Sequence, residues 1–146
     1  MKKAFFILLC LFAVVFTVKA SDDKPITVKQ LPLPAQQFIK AHFAKAKVAL
    51  AKMDSDLLFD KTYEVLFTNG SKVEFDKNGA WKEVDCREGS VPSAIVPQAI
   101  TKYVRENYPD QAIKEIEWDK KGYDIKLSNG LKLEFNTDFQ LIDLGD

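Results

Sequence analysis

One fourteen-residue pattern occurs twice in this chain and limits the folds that the chain can adopt. Residues 63–76 read YEVLFTNGSKVEFD, and residues 123–136 read YDIKLSNGLKLEFN. In both segments apolar and polar side chains alternate, which is typical of a β-strand with one buried and one solvent-facing side. An Asn-Gly pair stands between the alternating runs and predicts a turn. We therefore expect two β-hairpins of the same design.

The length of the turn determines which side chains share a face of the hairpin. A two-residue Asn-Gly loop would set Phe67 opposite Lys72 and would mix apolar with charged side chains. A three-residue loop over residues 68–70, and its counterpart in the second segment, separates them. The last residue of such a loop has a positive φ, which glycine adopts without steric cost. The pairs expected from this register are Val65–Val73, Tyr63–Phe75, Ile125–Leu133 and Tyr123–Phe135.

A helix and two further strands accompany each predicted hairpin. Pro34 and Pro97 suit the first turn of helices whose apolar residues recur every three or four positions. Strands are predicted before the hairpins at 48–53 and 113–118. After the hairpins, a turn at residues 77–79 would place Trp81 on the face of Phe75. With a turn at Thr137-Asp138, the corresponding residues of the second half are Phe139 and Leu141.

These elements predict an α+β protein of two tandem helix-plus-four-strand antiparallel repeats, with the helices covering one face of the sheet. We expect the first repeat at 21–86, a linker at 87–95 and the second repeat at 96–146. The first repeat carries about five additional residues, in or near 55–62. The pattern leaves open whether Trp118 faces the helix or solvent. It also leaves open whether the repeats stack face to face.

The first twenty residues have the features of a secretory signal peptide. Two lysines precede an apolar run at 4–18, and small residues follow it up to Ala20. The run is too short for a lasting membrane anchor, and Cys10 within it lacks the small neighbours of a lipid-attachment cysteine. We therefore expect a periplasmic or secreted protein without stable membrane insertion. Cleavage would leave 18 basic and 21 acidic residues, a balance that argues against nucleic acid as a partner.

The sequence contains no pattern that indicates catalysis, a metal or a cofactor. His42 is the single histidine and lies on the apolar side of the first predicted helix. Cys86 is the single cysteine after the apolar leader, and we expect it to be buried. Three aspartates at 54, 56 and 60 lack the glycine and closing glutamate of a calcium loop. We therefore expect a protein that is not an enzyme and binds no metal or cofactor.

The repeated hairpin, preceded by a proline-opened helix and an export signal, resembles the β-lactamase-inhibitor-like, PepSY-like family of bacterial exported proteins. The resemblance extends over roughly residues 26 to 145. It implies two helix-plus-four-strand units whose helices cover one side of the sheets and leave a broad sheet surface open. In the better understood inhibitor with this type of fold, that open surface grips an enzyme. The shared motif consists of hairpin residues, so it transfers no inhibitory contact residue to this chain.

The expected function is that of a binding module which contacts an envelope or extracellular protein through the uncovered sheet face. Mixed charges on that face are expected to keep the pKa values of its carboxylates near normal. The alternative is a small-ligand or glycan site at the seam between the repeats, around Trp118 and Tyr123. The side chains predicted to form the protein-binding face are Leu66, Lys72, Glu74, Val84, Lys126, Lys132, Glu134 and Ile142.

Overall fold

The computed structural model describes residues 23–55 and 60–145. The predicted signal peptide at 1–20, with Cys10, and also Asp56 lie outside the described residues. Within these ranges, no helix is long and apolar enough to cross a membrane.

Nine strands and two α-helices follow one another along the chain. The helices are α1 (Leu33–His42) and α2 (Gln98–Asn107). The strands are β1 (Lys24–Ile26), β2 (Val48–Asp54), β3 (Thr62–Phe67), β4 (Lys72–Phe75), β5 (Trp81–Asp85), β6 (Ile113–Asp119), β7 (Gly122–Leu127), β8 (Lys132–Asn136) and β9 (Leu141–Gly145). The α+β class and both helices are confirmed, whereas the short strand β1 was not predicted.

All nine strands form one antiparallel sheet in which the spatial order equals the chain order. The two halves meet edge to edge, because β5 pairs with β6 through Val84 opposite Ile116. Face-to-face stacking of the halves is therefore wrong. The connection between β2 and β3 spans residues 55–61, whereas β6 and β7 are joined by residues 120–121. This difference confirms the position of the additional residues in the first half.

Both hairpins have the predicted register. Val65 lies opposite Val73, and Ile125 lies opposite Leu133. In the first loop the amide of Gly70 donates to the carbonyl of Phe67 at 2.9 Å. Gly70 and its counterpart in the second loop have φ angles of 85° and 88°, the positive values that close a three-residue loop. Local sequence alone thus determines these turns.

The two helices pack on the same face of the sheet and bury its apolar side chains. Phe38 of α1 meets Phe75 edge to face at 5.5 Å, and Tyr103 of α2 meets Phe135 at 5.4 Å. We call this the covered face. Cys86 is buried as predicted. The predicted linker contributes to this core, because Val91 is buried and its amide donates to the carbonyl of Ile113.

A β-bulge changes the face of Val84, which was predicted to lie on the uncovered side. Phe75 pairs with Trp81, but the preceding residue Glu74 pairs with Glu83. Lys82 is therefore an additional residue on β5, and the alternation shifts by one position after it. As a result Val84 is 0% exposed in the core, and its assignment to the binding surface is wrong.

The turn before β9 also differs from the prediction. Phe139 was expected on the covered face, but it is the third turn residue, with a φ of 61° and partial exposure. It occupies the position that Gly79 holds in the first half. The amide of Phe139 donates to the carbonyl of Asn136, as the amide of Gly79 does to the carbonyl of Asp76. Leu141 lies opposite Phe135 as expected.

Candidate functional site

The side of the sheet away from the helices, the open face, holds most of the predicted binding residues. Lys126 and Lys132 on this face are exposed, and Ile142 at the bulge of β9 is 54% exposed. Of the five remaining members of the predicted set, four are half-buried among their neighbours, and Val84 is buried on the opposite side. The half-buried residues are Leu66, Lys72, Glu74 and Glu134.

A continuous line of carboxylates crosses the open face at right angles to the strands. Each of the seven strands from β3 to β9 contributes one acidic residue, and each lies directly opposite the next in the pairing register. Strands lie about 4.8 Å apart, so the line is about 29 Å long. We call it the acidic row. Its members, in order, are Glu64, Glu74, Glu83, Glu117, Asp124, Glu134 and Asp143.

Lysines flank the acidic row without neutralising it. Lys52 continues the row onto β2, where its Nζ lies 3.7 Å from a Glu64 oxygen and 3.1 Å from an Asp23 oxygen. The Nζ of Lys72 lies 3.6 Å from Glu83. The neighbouring line of paired residues adds two more acids, at 85 and 115, and two more lysines, at 126 and 132. Because these two lines of paired residues and Lys52 hold nine carboxylates and four lysines, the open face is acidic rather than balanced.

The expectation that the carboxylates keep normal pKa values is wrong for Glu74, Glu115 and Glu117. Burial raises the pKa of Glu74 above its ordinary value, and the facing Glu83 raises it further. Burial also raises the pKa values of Glu115 and Glu117, again with a contribution from Glu83. Burial lowers the pKa of Lys72, but surrounding carboxylates, Glu83 foremost, outweigh that effect and raise it overall. The row therefore holds ionised side chains at a free-energy cost.

This cost gives the protein an unusual response to acid. Because the pKa of Glu74 is raised, the folded protein binds that proton more tightly than the unfolded chain. Acidification from neutral pH towards the ordinary value of 4.5 therefore relieves the penalty. We expect Glu74→Gln to increase the free energy of unfolding at pH 7 by about 0.5 kcal/mol, a rise in Tm of roughly 2 °C. Near pH 4 the difference should vanish, because wild-type Glu74 is then protonated.

Thermal unfolding of both proteins across this pH range checks the expectation. Glu88→Gln removes the same charge from an exposed position off the sheet, and it should not alter Tm at either pH. A lower Tm for Glu74→Gln at pH 7, or an increase that persists at pH 4, would show that the acidic row is not under electrostatic strain.

The second half of the open face is concave. An open cavity of about 500 Å³ lies over strands β6 to β9. Its charged lining comes from the acidic row, from Glu115 beside the row and from the flanking lysines at positions 126 and 132. A protruding cationic group of a partner would meet carboxylates there on more than one side. The row members that line the cavity are Glu117, Asp124, Glu134 and Asp143.

The two seam aromatics lie on the covered face. Trp118 pairs with Tyr123, and the two residues lie on the same side of their strands as Ile116 and Ile125. The indole N–H of Trp118 donates to the carbonyl of Trp81, and the Nζ of Lys82 lies 4.2 Å from the centre of the Trp118 ring. Trp118 therefore faces the helix side and not solvent, and its indole N–H already has a hydrogen-bond acceptor within the protein.

The remaining candidate residues have structural surroundings. His42 lies against Phe38 at 4.7 Å on α1. The side chain of Asp60 pairs with Lys77 at 3.1 Å, and Asp54 lies opposite Thr62. Among residues 23–55 and 60–145, no group of three His, Cys, Asp or Glu side chains is arranged to hold a metal ion.

Sequence reasoning recognised parts of the acidic row but not its continuity. The hairpin register correctly placed Glu64 beside Glu74 and Asp124 beside Glu134. The central link, Glu83 opposite Glu117, depends on the pairing of β5 with β6, for which no turn supplies a register. The sequence did contain a signal for the row, because each predicted strand from residue 63 onward carries an acidic residue at a similar position.

Solved structures of three bacterial periplasmic proteins are similar to this chain in fold and in sequence. A crystal structure of a Bacteroides thetaiotaomicron protein, provisionally named as calcium-regulated and periplasmic, is 61% identical, with a TM-score of 0.84 over 87% of this chain and 99% of that one. A Bacteroides vulgatus periplasmic protein of the DUF2874 family is 56% identical, with a TM-score of 0.83 and the same coverage of both chains. A second B. vulgatus periplasmic protein, of unknown function, is 38% identical, with a TM-score of 0.80 over 85% of this chain and 99% of that one.

These relatives identify the compartment and agree with the family assignment. A search of curated proteins finds no significant match. The expected location outside the cytoplasm is confirmed, since the similar structures are of periplasmic proteins. A family model described as beta-lactamase-inhibitor-like, PepSY-like matches residues 61–143. The chain is a periplasmic member of the beta-lactamase-inhibitor-like, PepSY-like family.

Proposed function

We propose that this protein is a non-enzymatic binding module whose open face contacts a periplasmic protein with a basic surface. The acidic row is the observation that carries the proposal. Like charges directly opposite each other on neighbouring strands destabilise a sheet by a few tenths of a kcal/mol per pair. The row contains six such oppositions in succession. Arrangements that lower the stability of the folded protein in this way are characteristic of functional surfaces.

The chemistry of the row defines the partner. Lysine or arginine side chains spaced along a surface would neutralise the carboxylates and relieve their mutual repulsion. The length of about 29 Å suits a standard protein–protein interface rather than a single small molecule. Because the carboxylates project from a paired sheet, they are already in place, and binding would order little additional backbone.

We further propose that the two halves are copies of one unit and that the duplication extends the row. In this correspondence Glu64 matches Asp124, Glu74 matches Glu134, and the acidic residue of β5 matches that of β9. A single unit would present three or four carboxylates. Joining β5 to β6 unites both sets into one line, which is what the chain gains from the second copy.

Neutralising the centre of the row tests the function. The triple variant Glu83→Gln, Glu117→Gln, Asp124→Asn keeps side-chain shape and removes three charges. We expect it to weaken capture of envelope proteins from the source bacterium by at least about tenfold, because each lost charge pair contributes up to about 1 kcal/mol. Quantitative crosslinking and mass spectrometry, with wild-type protein in parallel, would measure the loss for each captured protein.

A matched control removes three acidic charges elsewhere. Glu88→Gln, Glu106→Gln, Asp110→Asn changes the net charge equally at exposed positions outside the open face. Capture should survive in this control and should weaken with added salt in the wild type. Equal capture by the row variant and the control would disprove the role of the acidic row.

Calcium is a second candidate ligand because of a specific observation, the provisional name of the 61% identical B. thetaiotaomicron protein. Adjacent carboxylates of the row could supply oxygen ligands, although no preformed group of three is present in the described residues. Binding would then belong to the weak range of extracellular calcium modules. Calorimetric titration with CaCl₂, in parallel with the row variant, distinguishes this candidate: heat of binding lost in the variant would favour calcium over a basic protein.

A small ligand or glycan at the seam has less support. The Trp118 N–H is already bonded to the Trp81 carbonyl, and Lys82 lies over the ring that a sugar would stack against. Tyr123 and Phe135 are among the residues that line a smaller cavity of about 190 Å³. A ligand at Trp118 would first have to displace these contacts.

A further inference from the structure

The last strand of the sheet, β9, has an apolar outer edge. Leu144 is 48% exposed and Ile142 is 54% exposed, although both belong to a strand that pairs with β8 on either side of its bulge. Phe139, at the turn that precedes β9, is also partly exposed. Large apolar side chains beside an unpaired strand edge are typical of surfaces that accept another strand.

A matching edge within the same chain is already occupied. Strands β5 and β9 have the same register on their inner neighbours, including the bulge: Val84 lies opposite Val73, and Leu144 lies opposite Leu133. On β5 the outer edge receives β6, whose Ile116 lies opposite Val84 and helps to bury it completely. Leu144 holds the position of Val84, but no strand of the described part of the chain pairs with its outer side.

The backbone amide of β9 at this position bonds to a side chain of its own strand and not to a neighbouring strand. The amide of Leu144 donates to the side-chain carboxylate of Asp143 at 2.9 Å. Just after β5, two residues beyond the equivalent residue Val84, the amide of Cys86 donates to the carbonyl of Lys114 on β6; amides two residues apart point to the same side of a strand. The Asp143 carboxylate therefore accepts a hydrogen bond from the Leu144 amide, which an incoming strand would use. It is also the last member of the acidic row.

The opposite edge of the sheet is protected. It is formed by β1, which has only three residues and contains Pro25, a residue that cannot donate a backbone hydrogen bond. Lys24 is exposed beside it. Short strands, proline and lysine are the usual means by which sheet edges avoid pairing. The described part of β9, Leu141–Gly145, has neither proline nor lysine.

We propose that β9 is a docking edge for an extended segment of the partner protein, which adds an antiparallel tenth strand to the sheet. The inference rests on the proposed function, since the occupant continues the contact made by the acidic row. Its chemistry follows from the edge: an apolar side chain opposite Leu144 and a lysine or arginine opposite Asp143. A basic side chain would engage the Asp143 carboxylate and release the Leu144 amide for the incoming carbonyl.

A synthetic strand provides the probe. The blocked peptide Thr-Lys-Val-Lys-Val-Lys-Thr, labelled with a fluorophore, alternates basic and apolar residues as the edge requires. We expect saturable binding to the wild-type protein by fluorescence anisotropy, together with slower hydrogen exchange at the Leu144 amide. A peptide with glutamate in place of each lysine should not bind, because it would extend the acidic row.

Two matched variants locate the contact. Leu144→Lys places a charge on the edge and should weaken binding of the basic peptide at least about tenfold. Leu33→Lys makes the same change at another exposed leucine, 64% exposed on α1, and should leave binding unchanged. Both positions are at the surface, so the Tm of each variant should remain near that of the wild type.

Several outcomes would overturn the inference. Equal peptide binding by the Leu144→Lys and wild-type proteins would exclude β9 as the contact, as would an absence of saturable binding. A wild-type dimer that Leu144→Lys converts to monomers in sedimentation would show that a second copy occupies the edge. If the row variant loses capture while the peptide fails to bind, the proposed function stands and this inference alone fails.

Discussion

Gly122→Ala is expected to prevent stable folding, the largest single-residue effect that this structure predicts. Gly122 begins β7 with a φ of 143°, a conformation that residues with a side chain rarely adopt. An added Cβ would lie 1.9 Å from the carbonyl oxygen of Phe135 and 2.8 Å from the Cα of Asn136. Both obstacles are backbone atoms of β8, so the clash cannot be relieved by a side-chain rotation. We expect a loss of at least about 4 kcal/mol, in the range where a marginally stable domain unfolds.

Gly130→Ala is the matched control. Gly130 also has a positive φ, of 88°, but nothing lies within 4 Å of the position that its Cβ would occupy. The free energy of unfolding of the Gly130→Ala protein should fall only by the conformational penalty of about 1 kcal/mol. Urea unfolding followed by circular dichroism measures both variants. Similar stability of the two alanine variants would contradict the close approach of β7 and β8.

Val84→Lys is expected to destabilise the protein nearly as much. Val84 is completely buried opposite Val73 and Ile116, under the helices. A lysine at this position would place an unpaired ammonium group in an apolar core, at a cost of several kcal/mol. We expect a loss of about 4 kcal/mol or more in the free energy of unfolding, or failure to yield soluble protein.

Ile142→Lys shows whether the bulges are correctly placed. Both residues belong to strands of the same design, but Ile142 is the additional bulge residue of β9 and is 54% exposed. Its substitution should change stability by less than about 0.5 kcal/mol. If Val84→Lys were tolerated as well as Ile142→Lys in chemical denaturation, Val84 would lie on the open face after all.

Local features of the chain were predictable because their causes are local. Alternation and an Asn-Gly pair close in sequence determine the hairpin register, and proline followed by periodic apolar residues determines each helix. Positions such as Val65 opposite Val73 follow from these rules without any knowledge of the fold. The strand before each hairpin was likewise recognised to within one residue at its ends, as β2 and β6 show.

Three features of the structure did not follow from side-chain alternation and turn residues. The bulge at Lys82 adds one residue to β5 and reverses the alternation that had placed Val84 outside. The turn before β9 tolerates Phe139 at a positive φ, where the first half has glycine. Trp118 points to the helix side, where Trp81 of the neighbouring half receives its hydrogen bond.

The amino-acid sequence by itself determined the class of fold, the two hairpins and the separation of apolar from charged sides, because turn chemistry and side-chain period act between near neighbours. Only the tertiary structure decided that the halves join through β5 and β6. No turn determines the register of that junction. It places Glu83 opposite Glu117 and so joins the acidic residues of the two halves into one row. Among residues 23–55 and 60–145, the same structure leaves β9 at one edge of the sheet. Both candidate contact surfaces therefore arise from long-range strand pairing, which local patterns do not specify.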